Sequence, residues 1–290
     1  VIPGERAERR VLATAALDPL AERLQGAVRR ALEPLLGGRL MNALHGTWLG
    51  HPLHPALTDL PIGCWAAAVV LDATRAGGGR RPTAVDVVSG FGLAGAVAAA
   101  SAGAADWSRS GPVGRRIGLA HAGANLGATA LSAAALVGRQ GARARRMRLA
   151  GLMLGACGAW LGGQLVYGES LGVDHGTGIP GPEEWSDAIA VSALPDGRPV
   201  RTMVGELPVL LVRRGDEIRA IGDVCSHLGG PLSEGTLDGD TVTCPWHGSR
   251  FRLDDGAVVC GPATFRQPCL AVRVREGRVE VREPLPGAPL

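Results

Sequence analysis

Four apolar runs, about Ala56–Thr74, Ala84–Ala105, Ile117–Gly138 and Leu149–Tyr167, follow one another with little between them. Each holds roughly 19–22 residues, and about 20 helical residues cross the hydrocarbon core of a bilayer. The middle two carry almost no charge, and Asp59, Asp72 and Asp86 lie near run ends, where water is reachable. The connections Arg75–Thr83, Asp106–Arg116 and Arg139–Arg148 are short, rich in arginine, and too small for a soluble insert. Four such runs in a soluble bundle would leave little amphipathic surface. The spacing therefore predicts a membrane all-α domain of four helices over residues 51–170.

Small residues fit that reading. Gly123 and Gly127, and Gly151 and Gly155, have the small-xxx-small spacing of close helix contacts. Gly90, Gly92 and Gly95 match G-x-G-x-x-G, but they lie inside an apolar helix with no strand before it, so helix packing explains them better. Residues 1–50 differ: seven arginines lie between Glu5 and Leu44, and Leu17, Leu20, Leu24 and Val28 recur at helical spacing. This pattern predicts an amphipathic helix on the bilayer surface, with membrane lipid as its partner. The segment has no continuous apolar core, so it is not read as a cleavable secretory signal.

From about Asp187 the texture changes. Pro208–Val212, Ile218–Ile221, Asp240–Cys244, Ala271–Val274 and Arg278–Val281 are short β-branched runs, with turn chemistry at Asp238-Gly239 and Asp254-Asp255-Gly256. Their spacing predicts a small antiparallel sandwich or barrel over 188–290, after a glycine- and proline-rich linker at 171–187. The 46% apolar content thus averages two unlike halves. The net charge of only +3 gives no argument for a nucleic-acid partner.

The β region holds Cys225-Ser226-His227 and Cys244-Pro245-Trp246-His247. Two short loops, each presenting a thiolate and an imidazole, make a four-ligand metal site, and Cys₂His₂ suits zinc. C-x-H is, however, an uncommon zinc knuckle. The longer stretches Cys225–Leu232 and Cys244–Phe251, with Gly261-Pro262-Ala263, resemble the two cluster loops and the proline loop of Rieske proteins. The resemblance spans about 187–283. It implies a [2Fe–2S] cluster, with Cys225 and Cys244 on one iron and His227 and His247 on the other. It also implies tuning by Ser249, Gly229 and Pro262, through hydrogen bonds and close backbone approach to the sulfides. Quinol-oxidising Rieske proteins carry an extra, disulfide-bonded cysteine in each loop. Gly230 and Trp246 stand at those places here, so the loops resemble the ferredoxin-like type of intermediate or low potential. Of the other cysteines, Cys64 and Cys157 read as core residues, and Cys260 and Cys269 either pair across neighbouring strands or stay free.

The remaining histidines gather around the apolar runs. Alternating direction through four helices puts His51, His54, His121 and His175 on one membrane side, with the C-terminal half of the chain. Intramembrane imidazoles often mark function, and histidine is a usual axial ligand of haem iron. All four are candidate ligands of haem b; helix capping, or a quinone or proton role, are the alternatives. His51-Pro52-Leu53-His54-Pro55, Leu60-Pro61-Ile62-Gly63, Asp106-Trp107, the His121 helix and Gly162-Gly163 together resemble the DUF2231 membrane-domain family over about 45–178. That resemblance supports the helical fold more than any one activity.

These readings imply a membrane-bound Rieske-type one-electron carrier in a membrane redox chain, exchanging electrons with a redox partner protein, haem b or quinone. The alternative is a membrane-anchored ferredoxin-like binding or redox-sensing module that serves a separate enzyme. No catalytic residue is assigned. A ring-hydroxylating oxygenase would need a further domain with mononuclear iron held by two histidines and a carboxylate, and no soluble segment remains to house it. The chain is expected in the cell membrane as a multi-pass protein. Eight arginines (Arg75, Arg80, Arg81, Arg139, Arg143, Arg145, Arg146 and Arg148) occupy the connections opposite the cluster domain, which favours that domain outside the cytoplasm. The Arg145-Arg146 pair resembles a degenerate twin-arginine signal. The seven arginines of the amino-terminal segment argue the other way.

Overall fold

The computed structural model describes residues 17–32, 34, 38–74, 83–138 and 141–284, which form two compact units. Of these, the first unit takes the residues up to 34 and those from 53 to 171; the second takes 38–52 and 172–284. The second unit is thus discontinuous in sequence, and the expected 1–50 segment is divided between the two.

The first unit begins with α1 (Asp18–Leu32), which is amphipathic as expected. Its buried Gln25 donates to the carbonyls of Trp107 (2.8 Å) and Ser110 (3.1 Å). Ion pairs Asp18–Arg116 (2.6 Å) and Glu22–Arg115 (2.7 Å) flank that contact. The polar face of α1 is therefore tied to protein, while Leu20 and Leu24 remain exposed. The part of the expected surface helix before residue 17 lies outside the described residues.

Leaving α2 (Arg39–His45) to the second unit, four long helices follow: α3 (Leu53–Ala73), α4 (Ala84–Trp107), α5 (Pro112–Val137) and α6 (Ala142–Gly163), the last continued by a wider turn to Gly168. Among the described residues, α3, α4 and the α6 segment are long and apolar enough to cross a membrane. The expectation of four apolar spans is therefore met for three. α5 has the length, 26 residues, but Arg115, Arg116, His121, Asn125 and four glycines lower its hydropathy. Small residues set the helix contacts. A Cβ at Gly92 would meet Trp65 at 2.8 Å, at Gly95 Leu60 at 2.9 Å, at Gly127 Leu154 at 2.7 Å and at Gly151 the Ala128 carbonyl at 3.2 Å. Gly90 and Gly123, read as packing glycines, face open space instead. An ion pair between buried Arg148 and half-buried Asp72, at 2.7 Å, joins α6 to the end of α3. The arginine connections at 75–82 and 139–140 lie outside the described residues.

The second unit is antiparallel β. One sheet has six strands in the order β1-β10-β9-β4-β3-β2, and the other runs β5-β6-β7-β8. The strands are β1 (Ser186–Ala190), β2 (Pro199–Val204), β3 (Leu207–Arg214), β4 (Glu217–Gly222), β5 (Thr236–Asp238), β6 (Thr241–Thr243), β7 (Arg250–Arg252), β8 (Val258–Cys260), β9 (Cys269–Arg275) and β10 (Arg278–Arg282). β3 is buried on both faces, because successive strand residues point to opposite sides. Leu210 and Val212 join Ile221, Leu232, Val242 and Phe251 in one core, and Val209 and Leu211 join Leu194, Ala220, Val279 and Val281 in another. The first core also takes in Cys225 and Cys244, so the motif loops rest on its apolar floor. The expected linker is not loose. His175 N–H donates to the Ser226 carbonyl (3.1 Å), and Glu283 N–H to the Pro182 carbonyl (2.7 Å).

Candidate metal centre

The two motif loops repeat one backbone design. In the first, Cys225 N–H donates to the Gly230 carbonyl and Gly229 N–H to the Cys225 carbonyl, both at 2.8 Å. In the second, Cys244 N–H donates to the Ser249 carbonyl (2.8 Å) and Gly248 N–H to the Cys244 carbonyl (3.1 Å). Four residues after each cysteine the chain turns left-handed, with φ of +77° at Gly229 and +78° at Gly248, where a side chain would be strained. The loops differ in histidine position, two residues after the cysteine in one and three in the other.

This design gathers the four predicted ligands in pairs. The Cys225 and Cys244 thiols are hydrogen-bonded to each other; this raises the Cys225 pKa and lowers that of Cys244 to about 6. A shared proton leaves one sulfur ready as thiolate, the form that ligates metal. The His227 and His247 rings stand 4.9 Å apart, nearly perpendicular. Thiol meets thiol and ring meets ring. No group of three or more His, Cys, Asp or Glu among the described residues closes on one ion. That pairing suits two metals bridged by other atoms better than a single zinc.

Neighbouring segments lock the loops. Ser249 is fully buried, and its Oγ accepts from Ala263 N–H at 3.0 Å. Its own hydrogen remains free to donate, as a tuning role requires. Pro262, predicted beside it, is buried on the same segment. Ser226 Oγ donates to the Phe265 carbonyl at 2.7 Å. Buried Asp223, which sequence reasoning passed over, accepts from Ser233 N–H (2.6 Å) and faces Arg201 (3.3 Å), closing the base of the first loop. Asn42, also passed over, lies on α2, more than 200 residues before the segment it bonds. Its amide donates to the Val259 carbonyl and accepts from Gly261 N–H, both at 3.1 Å. A Cβ at Gly261 would also meet buried His45 at 3.1 Å.

Residues 184–272 match the Rieske [2Fe-2S] domain model. Ferredoxin CarAc of Metapseudomonas resinovorans is 39% identical over 98 residues, 33% of this chain and 92% of the relative. The chain belongs to the Rieske family. The anthranilate 1,2-dioxygenase ferredoxin subunit of Burkholderia cepacia is 34% identical, over 34% of this chain and 91% of that protein. A solved oxygenase–ferredoxin complex of carbazole 1,9a-dioxygenase matches at 38% identity, covering 34% of this chain and 94% of that one, with a TM-score of 0.32. Ahead of the Rieske domain, residues 50–178 match a predicted membrane protein family, DUF2231. The chain therefore joins a membrane domain to an electron-carrying Rieske [2Fe–2S] domain.

The remaining candidates separate. His51 and His175 fall in the Rieske unit, where His51 is exposed and its Nδ1 bonds the Pro52 carbonyl. His54 and His121 fall in the helical unit. Cys260 and Cys269 are free thiols on different sheets, so they are not partners. Burial, with Asp255 nearby, pushes the Cys269 thiol up to about 12.

Proposed function

We propose that the protein is a membrane-bound one-electron carrier, with Cys225 and Cys244 holding one iron and His227 and His247 the other. A bound [2Fe–2S] cluster supplies a one-electron couple. Neutral imidazoles in place of two thiolates raise the potential of such a site above that of all-cysteine clusters. The observation that carries the reading is the asymmetry of burial: both cysteines are buried, while His247 is partly open beside Trp246, which is 56% exposed. The electron's way in and out is then the imidazole edge, and Trp246 is part of the docking surface. Gly230 and Trp246, standing where quinol-oxidising relatives carry cysteines, favour a ferredoxin-like partner protein. The donor or acceptor is a membrane redox component, haem or quinone, or a separate oxidoreductase of the kind the ferredoxin relatives serve.

Residues 38–52 and 172–284 fold together, yet the helices lie between them in sequence. One folded unit occupies one aqueous compartment, so the chain between its two parts crosses the membrane an even number of times. This supports four passes, with α5 as the fourth. The arginine asymmetry supports a Rieske domain outside the cytoplasm, although Arg148 is neutralised by Asp72.

The test is electron paramagnetic resonance of membranes carrying the full chain. Chemical reduction should give a Rieske-type signal that His227→Ala and His247→Ala each abolish; no signal from iron-replete protein overturns the reading. Rapid reduction by quinol would select the membrane chain, and reduction only by an added soluble reductase would select the ferredoxin-like role.

A further inference from the structure

In the helical unit, His54 on α3 and His121 on α5 face each other with ring centroids 5.9 Å apart and planes at 81°. Each ring is held the same way by the next helix. His54 Nδ1 lies 2.8 Å from the Ala99 carbonyl of α4, and His121 Nδ1 lies 2.8 Å from the Gly158 carbonyl of α6. Four residues further along each partner helix stands a glycine against the same ring. A Cβ at Gly103 would meet His54 at 2.7 Å, and one at Gly162 would meet His121 at 3.2 Å. The α3–α4 and α5–α6 pairs thus present one imidazole each by the same device.

A carbonyl accepts from Nδ1 only if that nitrogen carries the proton. Both Nε2 atoms then hold a lone pair, the tautomer in which a backbone-oriented histidine ligates metal. Asn125 makes only a long contact there, one a metal would displace: its amide donates to the His121 carbonyl at 2.9 Å and stands 3.3 Å from Nε2 and 3.4 Å from Nδ1. Two imidazoles on opposite sides of one metal ion, with metal–nitrogen bonds of about 2.0 Å, place their centroids about 6.3 Å apart; a tetrahedral angle gives about 5.1 Å. The observed 5.9 Å lies between the two. Opposed rings both contain the metal–nitrogen axis, so perpendicular planes are allowed. No third His, Cys, Asp or Glu joins them among the described residues. A bare cation would have only two protein ligands, whereas haem iron brings four of its own and asks the protein for two.

We infer that His54 and His121 are the axial ligands of a single haem in the membrane domain, and that His51 and His175 are not ligands. This rests on the reading of the chain as a membrane redox carrier. The full chain, produced with ample haem precursor and purified in detergent, is examined by optical and resonance spectroscopy. The expected result is about one low-spin bis-imidazole haem per chain. His54→Ala and His121→Ala should each cut haem content roughly tenfold, while His51→Ala and His175→Ala leave it unchanged. His121→Met should keep haem but change its ligand spectrum, which a merely structural histidine would not do. A haem-free protein, or four alanine variants that behave alike, overturns the assignment. The Rieske signal, recorded on the same samples, reports separately on the carrier reading.

Discussion

The indole of Trp246 lies on Gly230, so close that a Cβ at 230 would stand 2.9 Å from the ring. The two cluster loops therefore meet by packing at the positions where quinol-oxidising Rieske proteins join them by a disulfide. The same added carbon would lie 3.0 Å from Cys244 Sγ. Gly230→Ala should force the loops apart at a cost of roughly 1–3 kcal/mol, the range for overpacking. Iron and acid-labile sulfide per chain should fall, and visible absorbance should bleach faster. An unchanged cluster content would show that the loops do not need this contact.

Ser249 can donate one hydrogen bond while it accepts from Ala263. Ser249→Ala removes about 1 kcal/mol of interaction with a reduced, more negative centre. That corresponds to a midpoint potential lower by roughly 40 mV for one electron. Potentiometric titration followed by paramagnetic resonance measures it, and cluster content should stay normal.

Asn42 holds both polar groups flanking Cys260. Asn42→Ala leaves the Val259 carbonyl and the Gly261 N–H without that partner, a loss of about 1–3 kcal/mol. Thermal melting of the cluster absorbance should shift downward, while the helical unit, followed by far-ultraviolet circular dichroism, should hold. Asn42→Asp keeps an acceptor for Gly261 and should lose less.

In the helical unit, Arg148 is 4% exposed and paired with Asp72. Arg148→Ala leaves the half-buried Asp72 carboxylate without its partner and should cost roughly 1–3 kcal/mol, read as earlier unfolding in detergent titrations. Asp72→Leu combined with Arg148→Met should recover most of that loss, because a buried pair and an apolar pair of similar size are nearly equivalent.

Much of this molecule was legible in the chain. Apolar run length marked the long helices, and the Cys-x-His and Cys-x-x-His loops marked the cluster, since neither signal depends on distant residues. The five β-branched runs became β3, β4, β6, β9 and β10. β1, β2, β5, β7 and β8 were not among those runs; β5, β7 and β8 have only three residues each, as at Arg250–Arg252, too few to carry periodicity. α5 was read correctly as a long helix, but Arg115, Arg116, His121 and Asn125 keep it less apolar than the other three. Asn42 and Asp223 were invisible because their roles come from partners set by the tertiary fold. The four candidate haem histidines could not be sorted, since proximity in sequence put His51 beside His54 and the fold assigns them to different units.

The Asn42 clasp also sets an order of synthesis. Asn42 leaves the ribosome 219 residues ahead of Gly261. At about 5–20 residues per second, the clasp waits roughly 10–40 s for its partner. During that delay all of the long helices are made and can be inserted. The piece of the Rieske unit made first thus waits for a partner made after all of the long helices. A chain begun after Pro52 would carry every cluster ligand and still lack the residue that holds Gly261.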